Sequence, residues 1–449
     1  MAAQILEQGA PELDYEKTSS FVNPRDPFVQ LSQTINWHEL EREANQFFSP
    51  LGRPRSSARV VVGLIVTRYL FNLSERTVIQ RFLESTSIQA FCGFTEFQLE
   101  PPVSRQTLNN WIHKLGDFAG RILLKQSIQA ALQHGLVKTG DLEVVSADTT
   151  VQPKAIKHPT DGHLFAAAIK KLDLARKQYG ERFHSKFDKT YRLAAKAAME
   201  FYRGQTKAAK ARLARLKKTL KRKIESFCKI FNKIRDSLKP QAIFEIEEML
   251  AILVSISDRS RHQKNKIYSV HCPEVQCYVK GNGRNRSFQF GSKVAIVTTQ
   301  NNSLILGVVN YTSTVYDGHT LGVSIIRAEE NTGVRIKTIA VDSNYSSKEC
   351  IDSIAESRYR FGQDVTEELP EVIHGRKKNL TKVQKRTLRK RSRIEAIIGH
   401  AKADHKLGLN RYWGKVGDEA NAMLSTAAFN LKKLYNHFSY DQRKAFNLL

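Results

Sequence analysis

Two short runs of β-branched and small apolar residues each lead to an aspartate. Val144, Val145 and Ala147 precede Asp148 in SADTT, and RIKTIAV (Arg335–Val341) precedes Asp342 in AVDSNY. Such runs read as buried strands that end where the acid begins. A lone aspartate at a strand end is ordinarily a turn former. The long stretch between these two is what limits the fold. From Phe165 to about Arg259 it is rich in Ala, Lys, Arg and Leu, which predicts long helices. Phe288–Thr299 and Ser303–Val315 then read as a hairpin joined at Asn301-Asn302. A helix over Gly318–Glu330, the strand before Asp342 and a helix over Ser346–Tyr359 follow. Strand, helical insertion, hairpin, helix, strand, helix is a mixed α/β pattern with a large insert after its first strand.

The first hundred residues read as helical. Ile35–Phe48 and Ala58–Leu73 have helical apolar spacing, and Ser74 starts a helix that runs through Phe91. After Pro101-Pro102, VSRQTLNNWIHKLG (Val103–Gly116) has the form of a recognition helix. Ser104 caps it, and Leu108, Trp111, Ile112 and Leu115 pack inward. Arg105, Gln106, Asn109 and Asn110 offer donors on its outer face.

Charge gives those donors a partner. The chain has 71 Lys+Arg against 44 Asp+Glu, a formal net charge of +27, and a polyanion such as nucleic acid is the economical partner. The excess is clustered. Lys207–Lys223 holds nine basic residues and Arg376–Arg393 holds ten, neither run with an acid. Lys217, Lys218, Lys221 and Arg222 in the first run are candidate phosphate contacts. The longest apolar runs, Val60–Val66 and Met249–Ile256, are too short to span a bilayer, so no membrane partner is expected. The N-terminus lacks a basic start followed by an apolar stretch, and is not read as a secretory signal. Five cysteines without a C-x-x-C pair argue against a disulfide scaffold and a thiolate zinc site, and for a reduced cytoplasmic compartment. Gly281 and Gly283 in KGNGRN read as a turn, not a phosphate loop.

A third acid lies on a strongly helical segment, read as one helix from about Lys385 to His405. Another helix is read from Asp418 to Phe438. On one straight helix Leu388, Arg391, Glu395 and Lys402 fall within roughly 60° of arc. Ile394, Ile397, Ile398 and Ala401 form an apolar stripe beside them. By itself, Arg391–Glu395 is an ordinary i,i+4 ion pair. His400 and His405 read as DNA or packing contacts rather than metal ligands. Trp413 in NRYWGK reads as packing rather than as a platform for a displaced base.

Taken in order, these segments resemble the DDE transposases of bacterial insertion sequences, most closely the family called insertion sequence five. The resemblance is carried by Gly52–Phe94, DTTVQPKAIKHPTD (Asp148–Asp161), IYSVHCPEVQCYVKG (Ile267–Gly281), FGSKVAI (Phe290–Ile296), YDGHTL (Tyr316–Leu321), AVDSNY and Arg391–Ala422. It implies a ribonuclease-H-like α/β catalytic core with an all-helical N-terminal domain and a large helical insertion after the first core strand. The implied limits are 1–135 for the helical DNA-binding domain, 136–159 for the first part of the core, 160–262 for the basic insertion and 263–449 for the rest. Asp148, Asp342 and Glu395 take the catalytic positions. Arg391, Glu395 and Lys402 match the family's Y-x2-R-x3-E-x6-K spacing, with Leu388 in the Tyr place; Ser343-Asn344 replace a more usual basic residue and Gly.

The resemblance also implies two Mg²⁺ ions, with Mn²⁺ able to substitute. Asp148 would bridge them, with Asp342 on one and Glu395 on the other, while Arg391 and Lys402 hold strand phosphates. The implied partners are double-stranded DNA, both element ends and target, and a second copy of the chain in a dimer that pairs two ends. The implied activity is cleavage at terminal repeats and joining of the 3′-hydroxyls to target DNA. The implied place is the cytoplasm, on the nucleoid when DNA-bound. Two other readings stay open: a DNA-binding derivative that has lost cleavage, and another ribonuclease-H-like nuclease.

Overall fold

Strand β1 (Val144–Pro153) lies inside the sheet, with partners on both sides. Its parallel partner is β5 (Thr338–Ala340), with Val144 opposite Thr338 and Ser146 opposite Ala340. Beyond β5 lies β6 (Glu371–Ile373), also parallel. On the other side of β1 comes β3 (Ser287–Thr299), then β4 (Ile305–Tyr311), antiparallel to β3. Parallel strands covered on both faces need continuous apolar runs. Val145, Ala147, Ile339, Ala340 and Val341 supply them, all buried.

The computed structural model describes residues 22–48, 56–179, 207–260, 263, 265–281, 286–363 and 368–445. They form two compact units, one drawn from Met1–Pro153 and Ser292–Leu449, the other from Lys154–Gly291. Residues 180–206 and 261–262 of the expected insertion, and Gly283, lie outside the described residues.

In the first unit the N-terminal helices are α1 (Pro27–Gln33), α2 (Trp37–Asn45), α3 (Ala58–Leu70), α4 (Glu75–Glu84), α5 (Thr86–Phe91), α6 (Arg105–Leu115) and α7 (Phe118–Gln133). The helix expected from Ser74 through Phe91 is two helices. Ser85 adopts extended backbone and its side chain accepts from Ile88 N, ending α4 and capping α5. Nor do these helices stand apart as a compact unit of their own. Leu64, Leu108 and Leu123 share one apolar cluster with Val145, Ile305 and Ile339 of the sheet, and with Leu424 and Leu431 of the last helix. That helix, α15 (Gly414–Ala445), packs along α7. Gly120 permits the approach, because a Cβ there would lie 2.6 Å from Met423 Cβ.

The remaining first-unit helices are α11 (Leu321–Thr332), α12 (Lys348–Arg360), α13 (Lys382–Lys390) and α14 (Arg393–Asp404). A single helix was expected across the last two. The chain instead turns tightly at Arg391-Ser392, where Arg391 N donates to Leu388 O at 3.2 Å and Glu395 N to Ser392 O at 3.2 Å. The turn lets Ile394, Ile397 and Ala401 reach the core while most of α13 stays exposed.

The second unit contains α8 (Asp161–Tyr179), α9 (Lys207–Ile234) and α10 (Pro240–Asp258). Leu164, Ile169, Leu220, Phe227, Phe231 and Leu253 give it a separate apolar cluster. Strand β2 (Gln276–Lys280) pairs with Ser287–Gly291, so this unit extends beyond the expected 160–262 segment at both ends. Among the described residues no helix is long and apolar enough to cross a membrane.

Edge strand β4 is clasped by a side chain. Buried Asn430 of α15 accepts from Ile305 N at 3.0 Å and donates to Ile305 O at 2.8 Å and Ser127 Oγ at 3.1 Å. Leaving such buried groups unsatisfied costs about 1–3 kcal/mol each. Asn430→Leu should therefore lower stability by about 3 kcal/mol in a urea melt, whereas exposed Asn45→Leu should change it by well under about 1 kcal/mol.

Candidate functional site

The register of β1 on β5 sets the site. Two residues beyond the Ser146–Ala340 pair come Asp148 on one strand and Asp342 just past the other. Side chains alternate along strands, so both acids lie on the face of that pair. β1 does not stop at Asp148, as the sequence suggested, but continues to Pro153. The continuation is possible because its polar residues find buried partners. Gln152 Nε2 donates to Ser292 Oγ at 3.2 Å and Asp418 O at 3.1 Å, and Gln152 Oε1 accepts from Asn421 at 2.8 Å. Asp342 instead caps a short 3-10 turn, Ser343–Tyr345, and accepts from Ser343 N at 2.6 Å.

Glu395 lies in the first turn of α14, exposed, and Arg391 at the break before it joins the acids. Its guanidinium is 3.4 Å from Asp148 Oδ2 and 3.1 Å from Glu395 Oε1. Burial pushes the Asp148 carboxyl up to about 6. Thr149 N–H and Arg391 pull it down, while Asp342 and Asp317 add to the rise.

Asp317 and Lys293 are residues that the sequence reading gave no role. Asp317 Oδ1 accepts from Thr149 Oγ1 at 2.8 Å and from Lys293 Nζ at 2.6 Å. Both sit in segments, YDGHTL and FGSKVAI, that carried the family resemblance, and that was the available signal. Tyr345 is buried beneath; burial first, then Asp148 and Asp317, push its hydroxyl far up.

These residues suit a divalent cation in kind. Their donors are carboxylate oxygens, as hard ions require, and a cation would offset both the burial and the neighbouring acids that raise Asp148. Among the described residues no three His, Cys, Asp or Glu stand close enough to hold an ion as they are. Arg391 occupies the gap between Asp148 and Glu395, so holding a metal requires it to turn aside.

The expected DNA contacts divide. Arg105, Gln106 and Asn110 are exposed on α6, which Ser104 caps by accepting from Thr107 N at 3.1 Å. Asn109 does not share that face; it is half-buried, with its Oδ1 enclosed and without a hydrogen-bond partner. On α9, Lys218 and Arg222 are exposed. Lys217 is not on that face, since its Nζ donates to Arg259 O at 2.7 Å, and Lys221 pairs with Asp258 at 2.6 Å. His405 is buried against Tyr69 O at 3.0 Å, and exposed His400 pairs with Asp404 at 2.8 Å. Trp413, read as packing, is 68% exposed, with only one face toward His113.

Family models match two parts of the chain. Residues 16–114 match a transposase domain (DUF772), and residues 257–431 match a transposase DDE domain. An uncharacterized protein, ORF8 in the nfe locus of Rhizobium meliloti, is 37% identical over 191 residues, covering 42% of this chain and 91% of that protein. No solved structure matches the chain.

The raised Asp148 makes a signed prediction. Its folded-state value, about 6, lies above the ordinary 3.8. The favourable contribution is therefore present below about pH 4 and is lost as pH rises through 6. Asp148→Asn should stabilise the metal-free protein by about 2 kcal/mol at pH 8 and by almost nothing at pH 4. Urea melts at the two pH values check this. Equal effects at both would place the Asp148 carboxyl in water-like surroundings.

Proposed function

The chain belongs to the DDE transposases of insertion sequences, and from that premise we propose that Asp148, Asp342 and Glu395 are its catalytic carboxylates. The observation that carries the assignment is the register that puts Asp148 beside Asp342, joined to Glu395 through Arg391. Placement within the insertion sequence five family rests on the quoted segments. The helical region through Gly135 would bind the element's terminal repeats, with Arg105, Gln106 and Asn110 on α6 reading base edges. The substrate is double-stranded DNA, first at the element end and then at the target, and two copies of the chain would pair two ends.

When bound, a pair of Mg²⁺ ions, or Mn²⁺ in their place, supplies activation of the attacking oxygen and charge stabilisation for the leaving one. Asp148, Asp342 and Glu395 would hold them. Arg391, once turned aside from the carboxylates, and Lys402 would hold phosphates of the cleaved strand, since neither side chain is a metal donor. Asp317 stays engaged by Lys293 and Thr149 and positions β1 rather than touching substrate. Leu388, in the usual Tyr place, has no hydroxyl for a phosphate.

In the second unit, Arg215, Lys218 and Arg222 recur at i, i+3 and i+7 on the exposed side of α9, and form a stripe for phosphates. Lys217 and Lys221 contribute charge while bound to their own unit.

Two experiments test these roles. Asp148→Ala, Asp342→Ala and Glu395→Ala should each abolish cleavage of end DNA in Mg²⁺ or Mn²⁺ while binding persists. Ca²⁺ should support binding without turnover because of its looser geometry. Retained cleavage in any variant removes that residue from the set. For α9, Lys218→Gln with Arg222→Gln should flatten the log–log salt dependence of DNA binding by about 2, equally for cognate and unrelated duplexes. An unchanged slope would mean that the stripe faces only solvent.

A further inference from the structure

A second cationic site lies beyond the carboxylates, in a cavity of about 610 Å³ where α3 and the start of α4 face the end of α14 and the loop after it. Arg68, Lys402, Lys406 and Arg411 line it, against one carboxylate, Glu75. We propose that this cavity holds one backbone phosphate of the DNA strand, through Lys406 and Arg411 with Arg68 behind them. The proposal rests on the transposase reading and adds a contact to it.

The site is built rather than incidental. Arg68 is 3% exposed, its guanidinium held between the Tyr412 hydroxyl and Glu75, with its Nε enclosed and unpartnered. Lys406 has left-handed backbone at φ +68°, as does Asn72 at φ +53°. For a lysine that conformation costs of order 1 kcal/mol and persists only where surroundings enforce it. The enforcement is mutual. Lys406 Nζ donates to Asn72 Oδ1 at 3.0 Å, Asn72 Nδ2 donates to Ala403 O at 2.8 Å, and Asn421 Nδ2 donates to Lys406 O at 3.1 Å. Gly408 closes the loop: a Cβ there would lie 2.7 Å from Lys402 O. Backbone strain and a buried guanidinium thus meet at one cavity.

The electrostatics leave the cavity short of an anion. Four cations face one acid. Burial, with Arg68 and Arg411 adding to it, lowers the Lys406 ammonium to about 8. An entering phosphate removes that repulsion, and a doubly hydrogen-bonded guanidinium at Arg411 gives it a planar partner. Position selects a strand phosphate over a free ion. Lys402 lies seven residues beyond Glu395 on α14, roughly 10 Å along the axis. A strand running along α14 would cover that distance in about three nucleotides, at roughly 3.4 Å of axis each.

The test uses the full-length protein and a set of end duplexes, each with one phosphate replaced by a neutral methylphosphonate. Wild-type protein should lose about tenfold in affinity at one position about three nucleotides from the cut, the value of one charged hydrogen bond. Lys406→Gln with Arg411→Gln should bind about tenfold more weakly to unmodified DNA and be indifferent to the replacement there, while keeping wild-type sensitivity elsewhere. Arg411→Gln alone, which leaves the strained Lys406 in place, should show part of the loss should the double variant fold poorly. Lys138→Gln with Lys444→Gln, exposed after α7 and on α15, removes the same charge elsewhere and should keep the wild-type pattern. A double variant with the full wild-type pattern overturns the phosphate site and leaves the transposase reading intact. Wild-type protein that binds none of the duplexes overturns both.

Discussion

The parallel register of β1 on β5 is the constraint on which the site depends. A slip of one residue would turn Asp148 to the opposite face and leave Asp342 alone. Apolar side chains hold the register on both faces, and backbone bonds lock its start, where Lys337 N and Thr338 N both donate to Glu143 O. Strict alternation then does the rest. It brings a second acid beside the first at a point where the strand is already mostly buried, and the like charges raise the cost. Lys293, Arg391 and the Thr149 N–H offset part of that cost, and the raised Asp148 carboxyl shows that they do not remove all of it.

The strand can run past its acid only because α15 brings polar groups into the core. Asp418 and Asn421 are buried on that helix, and Gln152 bonds to both residues. Asn410 extends the network: its N donates to Pro153 O at 2.7 Å and its Nδ2 to Asp418 Oδ1 at 2.6 Å. The loop between α14 and α15 is therefore tied to the far end of β1. Buried networks of this kind act as a unit, since each member left unpaired would pay its own desolvation cost. The same ties fix the strained Lys406 backbone through Asn421, so the sheet, the glutamate helix and the cationic cavity share one framework.

Elements with strong local patterns were legible in the sequence. The Leu108–Trp111–Ile112–Leu115 face of α6 and its Ser104 cap appear where the spacing put them, as do the β3–β4 hairpin and the strand before Asp342. Breaks were not legible. Nothing in RKRSRIEA distinguishes a turn at Arg391-Ser392 from a continuous helix, because the turn is set by where Ile394 and Ile397 find the core. Compactness was not legible either, since composition separates a helical N-terminus that tertiary packing joins to the sheet. At the site, the acids stood out as charged residues ending apolar runs. Asp317 and Lys293 did not, because an acid after a turn and a lysine in a strand become partners only through β3 and the segment after β4. For Trp413 the sequence left core and surface packing both open, and its loop places it at the surface beside His113.

Charge around the acids accounts for the place of Arg391. Four carboxylates gather there, Asp148, Asp342, Asp317 and Glu395, against two fixed cations, Arg391 and Lys293. A guanidinium cannot lose its proton, so it neutralises where it lies and must be moved rather than discharged. Lys293 is anchored by Val315 O and Asp317 inside the strand framework. Arg391 sits instead at a break between two helices, at the end of the basic Arg376–Arg393 run. A divalent cation held by Asp148 and Glu395 would take over the role of Arg391. The formal balance at the acids is two negative charges while Arg391 is in place and three once it turns aside, so its guanidinium and a divalent ion would be alternative sources of the same neutralisation. Arg391 and a bound ion would therefore compete for the same carboxylates, and its place at a break between two helices is what would let it turn aside.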